Sequence, residues 1–526
     1  MPPDSFKDGQ PLSGQTGDKN AKLGGLGAAG MSAPKLPELG VGIIYSSEFE
    51  QLIRDTNGLI QVAEIEPQTL WTQITENGQK RFKILAGVLD QLADLPCAKL
   101  VHSVGAPVGG TVAPPPAQLD LLRQWVERLG APWASEHLAF NSTVEFHTGF
   151  FLAPRQTRGG VMRVTESIRC LKAAMPVPVA VETGVNYLRP RRDELPDGQF
   201  IAETVEAADC GILLDLHNVY TNALNGRQSV DEFLSQIPLE RVWEIHIAGG
   251  MEMDGFWLDG HCDVVPERLM EIARSLLPAL PNVKALIFEV FPAFIPAMGM
   301  DKIRGQIESL HEIWRERGRP RGDGIFRPLP VAPLLNEPES GPTSVEEWER
   351  AFGHLVIGRR PEDSRLSREL ASDPGLRIIH KLVREFRASL LVNVLRLTVR
   401  LLMLSLGEKA ARTVLQAFWE ETPPQMYATT EAEAFAAFLD RLNLKIPQLA
   451  KVLAFERALL ATVMDDQPRV VAFDSDPIPL LRALADGRLP DIVSQPGPFE
   501  IEVTPDDFAG TDASRVALLG PNTQGH

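Results

Sequence analysis

Between Leu39 and about Gly318 the chain alternates short apolar runs with stretches of helical period. The runs are LGVGII (39–44), LIQVAEI (59–65), AKLVHSV (98–104), PWASEHL (132–138), PVAVET (178–183), GILLDL (211–216), RVWEIHI (241–247) and KALIFE (284–289). Segments with apolar positions three and four apart follow most of them, such as QLDLLRQWVERLG (118–130) and PERLMEIARSLL (266–277). Apolar runs alternating with helix-period stretches predict repeated βα units, and eight of them in this span predict a TIM barrel over residues 39–318.

Beyond the barrel the pattern changes. RERGRPRGDGIFRPLPVAPLLNEPESGP is dense in Pro, Gly and Arg, and predicts a linker over 319–343. Ser344 with Glu347 three residues on has the spacing of a capping box and opens a helix. Helical periods then continue to about Met464, interrupted at GEKAA and ETPPQMYATT, which predicts a mainly helical domain over 344–470. Residues 471–526 predict a small β element and a disordered tail, and residues 1–38, polar and Gly-rich, a disordered N-terminal tail without the apolar core of a signal peptide. The apolar stretch SLLVNVLRLTVRLLMLSL carries Arg396 and Arg400 on one helix face. Each costs about 2.5–3.5 kcal/mol at a bilayer centre, so the stretch predicts a buried amphipathic helix and no membrane span.

Composition narrows the class only a little. The net charge of −17 argues against a general nucleic-acid-binding surface. Against that total, Arg359–Arg412 holds twelve Lys/Arg and six Asp/Glu, a local balance of +6, which suits either a solvated face or a docking surface for an acidic partner. Four cysteines without CxxC spacing support neither a zinc knuckle nor a disulfide framework, and point to a reducing, cytoplasmic setting.

The candidate chemistry lies where the apolar runs end: His102, Glu136 with His137, Glu182, Asp215 with Asn218, His246, Asp259 with His261, and Glu289. Singly, such a histidine is most often structural and such a glutamate an ion-pair partner. Together they need a shared partner, because a buried unpaired carboxylate or imidazole costs several kcal/mol. A metal cluster is the economical one, and the carboxyl ends of barrel strands are where active sites sit. Imidazole and carboxylate without cysteine suit iron, manganese or zinc, and carboxylates can bridge two ions.

The motifs GVGI, LVHSVG, SEHLAF, LLDLHNVYTNA, EIHIAGG, the DGH of LDGHCDVVP, and LIFEVF resemble, over about residues 39–317, the multinuclear non-haem iron-dependent oxidative enzymes, the family of the methanobactin-forming oxidase. The resemblance implies a xylose-isomerase-like barrel with two or three iron ions and dioxygen as co-substrate. It implies His102, His137, Glu182, Asp215, Asn218, His246, Asp259, His261 and Glu289 as ligands, with Glu182 as bridge and Glu182, Asp215 and His246 at the centre of catalysis. The implied reaction is oxidation of a residue, cysteine first, in a ribosomally made precursor peptide. TPPQMYATTEAEAFAAFLDRLNLKIPQLAKVLAFERALL is similar to the peptide-recognition partner of these oxidases, here fused in cis. Two departures stand near the cluster. EIEPQTLW puts Glu66, Gln68 and Thr69 where the family has a His-Pro-Glu-Asn-type segment, and His217 stands where many members have Asn. The rival readings are a metal-dependent sugar isomerase or hydrolase on the same barrel, and a non-catalytic metal or peptide carrier.

Overall fold

The computed structural model describes residues 35–55, 58–76, 79–84, 87–318, 344–359, 363–490 and 495–505. The described residues from Leu36 on belong to one compact unit. The expected N-terminal tail up to residue 34, the expected linker at 319–343 and the expected tail beyond 505 lie outside the described residues.

Each of the eight apolar runs contains one barrel strand: β1 (Gly40–Ile44), β2 (Val62–Ile65), β3 (Ala98–Ser103), β4 (Ala134–His137), β5 (Val179–Glu182), β6 (Gly211–Asp215), β7 (Val242–Ala248) and β8 (Ala285–Glu289). Each pairs in parallel with its neighbours in sequence, and β8 returns to β1 to close the barrel. The strands are covered on both faces, by the barrel interior and by helices, which is why they read as unbroken apolar runs. The helix Pro116–Leu129 illustrates the outer layer, burying Leu122, Trp125, Val126 and Leu129 on one face. The βα alternation is not strict. Antiparallel hairpins follow β2 (Trp71–Glu76 with Gln79–Ile84), β4 (Phe140–Ser142 with His147–Leu152) and β7 (Met251–Met253 with Phe256–Leu258). All three follow the carboxyl ends of their strands, so they build up the mouth of the barrel.

The interior explains how the ligand-type residues come together. Val62, Leu100, Trp133, Ala180, Leu213, Ala285 and Ile287 form an apolar plug. A strand returns to the same face every second residue. Two positions past members of the plug on the same strands stand Glu64, His102, Ser135, Glu182, Asp215 and Glu289, and His137 follows Ser135 by two more. Period two thus stacks a polar layer on the plug, at the mouth.

The helices after residue 344 start as expected, with a complete capping box between Ser344 and Glu347. The break expected at GEKAA narrows to Gly407, whose φ of +76° ends one helix and starts the next, Glu408–Glu421. The helix expected across residues 389–406 is in fact two, Pro374–Val394 and Arg396–Leu406, bent by 111°. At the bend the Glu456 carboxylate accepts the Leu397 and Thr398 N–H groups at 2.7 and 2.8 Å and caps the second helix. Leu391, Leu395, Leu397, Leu401 and Leu402 face a core of their own with Phe418, Phe435 and Phe438. Among the described residues no single helix is long and apolar enough to cross a membrane; this bent pair passes by length and composition only. Part of the local +6 charge is spent internally: Arg387 pairs with buried Glu431, and Arg400 donates to the Leu484 carbonyl. Strand β9 (Arg469–Ser475) pairs antiparallel with β10 (Pro496–Val503), the small β element expected there.

The helical part sits on the barrel's mouth side. Trp348, Phe352, Ile378, Ile379 and Val383 share one apolar cluster with Phe140, Leu152, Tyr187, Leu188 and Leu258 of the barrel loops. Trp348 donates its indole N–H to the Ala153 carbonyl at 3.2 Å, and Arg155 and Arg191 stack over its ring at 5.0 and 5.8 Å. Glu349 accepts the Thr111 N–H at 2.8 Å, and Lys381 and Glu369 pair with Asp254 and Arg191.

Candidate metal centre

Three groups of side chains meet above the plug, and neighbouring groups share a carboxylate. The first is His102, His137 and Glu182, the second Glu182, Asp215 and His246, the third Asp215, His261 and Glu289; each offers three ligand atoms within 4.8 Å of one another. Glu182 Oε2 stands 3.1 Å from His137 Nε2 and 3.4 Å from His102 Nε2, while its Oε1 stands 3.7 Å from His246 Nδ1. Glu289 reaches the other way, with Oε1 2.8 Å from His246 Nδ1 and Oε2 3.2 Å from His261 Nε2. Asp259 lies between His261 Nε2 at 2.7 Å and His217 Nδ1 at 2.9 Å.

All nine residues that the resemblance implies as ligands lie in this region. Asp215 is the N-cap of the helix Leu216–Leu224: its Oδ1 accepts the Asn218 N–H at 2.8 Å, so only Oδ2 is free to face the cluster. Asn218 donates its amide to the Thr183 carbonyl at 3.2 Å, and its Oδ1 is left without a partner. In the Asp259–His261 loop, His261 has φ +43°, a left-handed turn at which the two side chains meet. Sequence reading missed Glu64 and Glu244, each fully buried, and treated His217 only as a departure from family pattern, although it forms a further group with Asp259 and His261. The signal for the glutamates was present, a carboxylate inside the apolar runs VAEI and VWEI. Gly250 at the end of EIHIAGG makes room for His217: a Cβ there would lie 2.7 Å from His217 Nε2 and 2.5 Å from the Leu258 carbonyl.

The electrostatics are those of an acid-rich cavity. Burial would depress His137, but the Glu182 carboxylate, with Glu136 behind it, raises it to about 9. Burial pushes Glu182 up, yet His137 and His102 hold it at about 2. His261, opposed by burial, is raised to about 10 by Asp259 and Glu289. Acid nevertheless exceeds imidazole: burial, then Glu289, Asp259 and Glu182, push Asp215 well above the carboxylate range. Burial also raises Glu66, whose charged neighbours are His102, Glu289, His137 and Glu64, so this departure from the family segment adds a carboxyl to the site.

The residues present fit metal ions. Glu182 Oε2, Asp215 Oδ2, Asn218 Oδ1, His246 Nδ1, His261 Nε2 and Glu289 Oε2 are all buried without a hydrogen-bond partner. Orphaned atoms of this kind are costly, and here they converge. The donors are oxygen and imidazole nitrogen only, which suits iron, manganese or zinc. Two aromatic rings flank the cluster, Phe151 stacked on His137 at 4.1 Å and Phe291 against His261 at 4.5 Å.

Fold and site together define a (β/α)8 barrel with a clustered His/carboxylate centre at its mouth. Residues 40–294 match the family model described as "RiPP precursor modification enzyme MbnB/TglH/ChrH". A UPF0276 protein of Acaryochloris marina is 33% identical over 188 residues, 36% of this chain and 68% of that protein. Another, of Streptomyces avermitilis, is 32% identical over 182 residues, 33% of this chain and 37% of that protein. The chain belongs to the UPF0276 family. It thus spans about a third of the length of the Streptomyces relative. A xylose isomerase domain protein from Alicyclobacillus acidocaldarius superposes with a TM-score of 0.35 at 17% identity, covering 53% of this chain and 99% of that one.

Proposed function

We propose that this protein is an iron- and dioxygen-dependent oxidoreductase that modifies a residue, cysteine first, in a ribosomally made precursor peptide. The observation that carries the reading is the run of three ligand groups linked through Glu182 and Asp215, which suits two or three neighbouring ions. His102, His137, Glu182, Asp215, Asn218, His246, Asp259, His261 and Glu289 would hold them. Iron bound there supplies the redox capacity that couples reduction of dioxygen to oxidation of the peptide side chain. The chain's own residues do the rest. Glu182 and Asp215 each serve two ligand groups, Phe151 and Phe291 keep water from the outer imidazoles, and Phe291, 48% exposed, marks the way in.

The family match over residues 40–294 supports a peptide as substrate. Residues 344–470, in this reading, are a peptide-recognition region fused in cis. Its support is an open groove of about 560 Å³ between the helix Leu449–Asp465 and strand β9, lined by Ala454, Ala458, Ala461 and Val470–Ala472 and rimmed by the charged Glu433, Lys451, Arg457 and Arg469. Among the described residues strand β9 is paired with one strand only, and a strand edge beside such a groove suits an extended peptide.

The test is to load the protein with iron anaerobically and admit oxygen in the presence of peptides from short reading frames beside its gene. Peptide-dependent oxygen uptake is expected. Its persistence in Glu182→Ala or His246→Ala would overturn the assignment, and iron binding without oxygen uptake would favour a carrier.

A further inference from the structure

Below the ligand groups, one carboxylate touches the back of one histidine and reaches a second through a serine. Glu64 Oε2 stands 2.6 Å from His246 Nε2. Its other oxygen, Oε1, accepts the Ser135 hydroxyl at 3.4 Å, and the Ser135 oxygen lies 2.9 Å from His102 Nδ1. Glu64 and His246 are fully buried, and Ser135 and His102 nearly so. On the Nε2 side of His246 the other described acid is Glu244, whose buried carboxyl also meets that of Glu64; it stands 3.9 Å from Nε2, too far to accept the imidazole proton, and is engaged by the Trp133 indole at 2.9 Å.

We propose that Glu64 is a positioning residue that sets the tautomers of His102 and His246 together, and so couples two metal positions. This rests on the metal centre proposed above. A carboxylate is acceptor-only at both oxygens. Oε2 therefore takes the Nε2 proton of His246 and leaves Nδ1 to face Glu182 and Glu289. Oε1 takes the Ser135 proton, so the serine oxygen accepts from His102 Nδ1 and leaves His102 Nε2 to face Glu182. One side chain thus turns one histidine toward Glu182 by Nδ1 and the other by Nε2.

A glutamine at this position cannot satisfy both. With its amide nitrogen toward His246, it donates to Nε2 and moves the proton to Nδ1, the ligand atom. With the nitrogen toward Ser135, the serine proton has only His102 Nδ1 to go to, and the His102 proton moves to Nε2. Either way one histidine is lost as a ligand, although shape and hydrogen-bond count change little.

The experiment uses the full chain, zinc(II) as a diamagnetic probe, and ¹⁵N-histidine spectra that distinguish metallated Nδ1 from metallated Nε2. Wild type should show His246 bound through Nδ1 and His102 through Nε2. Glu64→Gln should lose one of the two signals and bind the corresponding ion about 10- to 100-fold more weakly. Ser135→Ala should disturb the His102 signal and spare that of His246, which keeps the test alive if Glu64→Gln does not fold. Glu64→Gln with wild-type zinc stoichiometry, affinity and both signals would overturn the coupling alone. Wild type that takes up no metal would overturn the metal centre, and the coupling with it.

Discussion

At the scale of single residues, buried carboxyls outside the metal centre have consequences that can be measured. Glu456 is buried behind the bend between Pro374–Val394 and Arg396–Leu406, and burial raises its carboxyl to about 7 despite the hydrogen bonds from Thr398 and Leu397. A raised acid favours the neutral form in the fold. Its contribution is therefore intact below about 4.5, the unfolded value, and is lost as pH rises through 7. The folded state should lose up to about 3 kcal/mol between pH 5 and 8 on this account. Glu456→Gln, which forfeits one acceptor at every pH, should show a flatter melting temperature over that range; parallel curves for the two proteins would refute the assignment. The same scale shows what the sequence could and could not reveal. His102, Glu182, Asp215, His246 and Glu289 were legible because each follows apolar residues that would otherwise continue the core. Glu64 and Glu244 were not, because a carboxylate within a strand declares its partner only once β2 and β7 are curled around one interior.

At the scale of elements, the eight strands were legible from apolar runs alone, since a buried parallel strand needs little else. The hairpins after β2, β4 and β7 were not, because each sits in a connection where helix period was expected and its pairing is purely local. The 111° bend at Leu395 escaped as well: the run of leucines has no Pro or Gly to announce it, and the cap that ends it comes from Glu456, sixty residues on. The helices Pro374–Val394 and Ala428–Leu442 are tied by Arg387 and Glu431, both buried, with burial lowering the first and raising the second. Such a pair is costly to break and cheap to replace. Glu431→Ala should destabilise the protein by about 3–5 kcal/mol, whereas the double change Arg387→Met with Glu431→Leu should come within about 1 kcal/mol of wild type, as read by urea denaturation. On the proposed recognition groove, Ala454 is exposed. Ala454→Glu should weaken binding of the peptide at least tenfold, with iron content and melting temperature unchanged; unaltered affinity would count against the groove.

At the scale of the whole molecule, the sequence suggested two domains joined by a linker, and the described residues show how closely the two parts meet. Phe140, Leu152, Tyr187 and Leu258 would be laid bare if the helices were cut away, so a truncated barrel is a poor test of what the helices do. Changing the connection is a better one. If the seam around Trp348, and not the connecting segment, places the peptide, then inserting ten Gly-Ser residues within 319–343 should leave oxygen uptake within about twofold of wild type. A steep loss would mean the segment acts as a tether whose length sets the local peptide concentration.

The indole of Trp348, with two guanidinium groups over its ring and hidden from solvent, has a last implication. A body pinned at such a rivet cannot swivel to suit guests of different reach. If the helices anchor the peptide as proposed, the stretch between its anchored part and its reacting side chain must span one set distance, and counting residues along that stretch in a series of lengthened and shortened guests would measure this ruler directly.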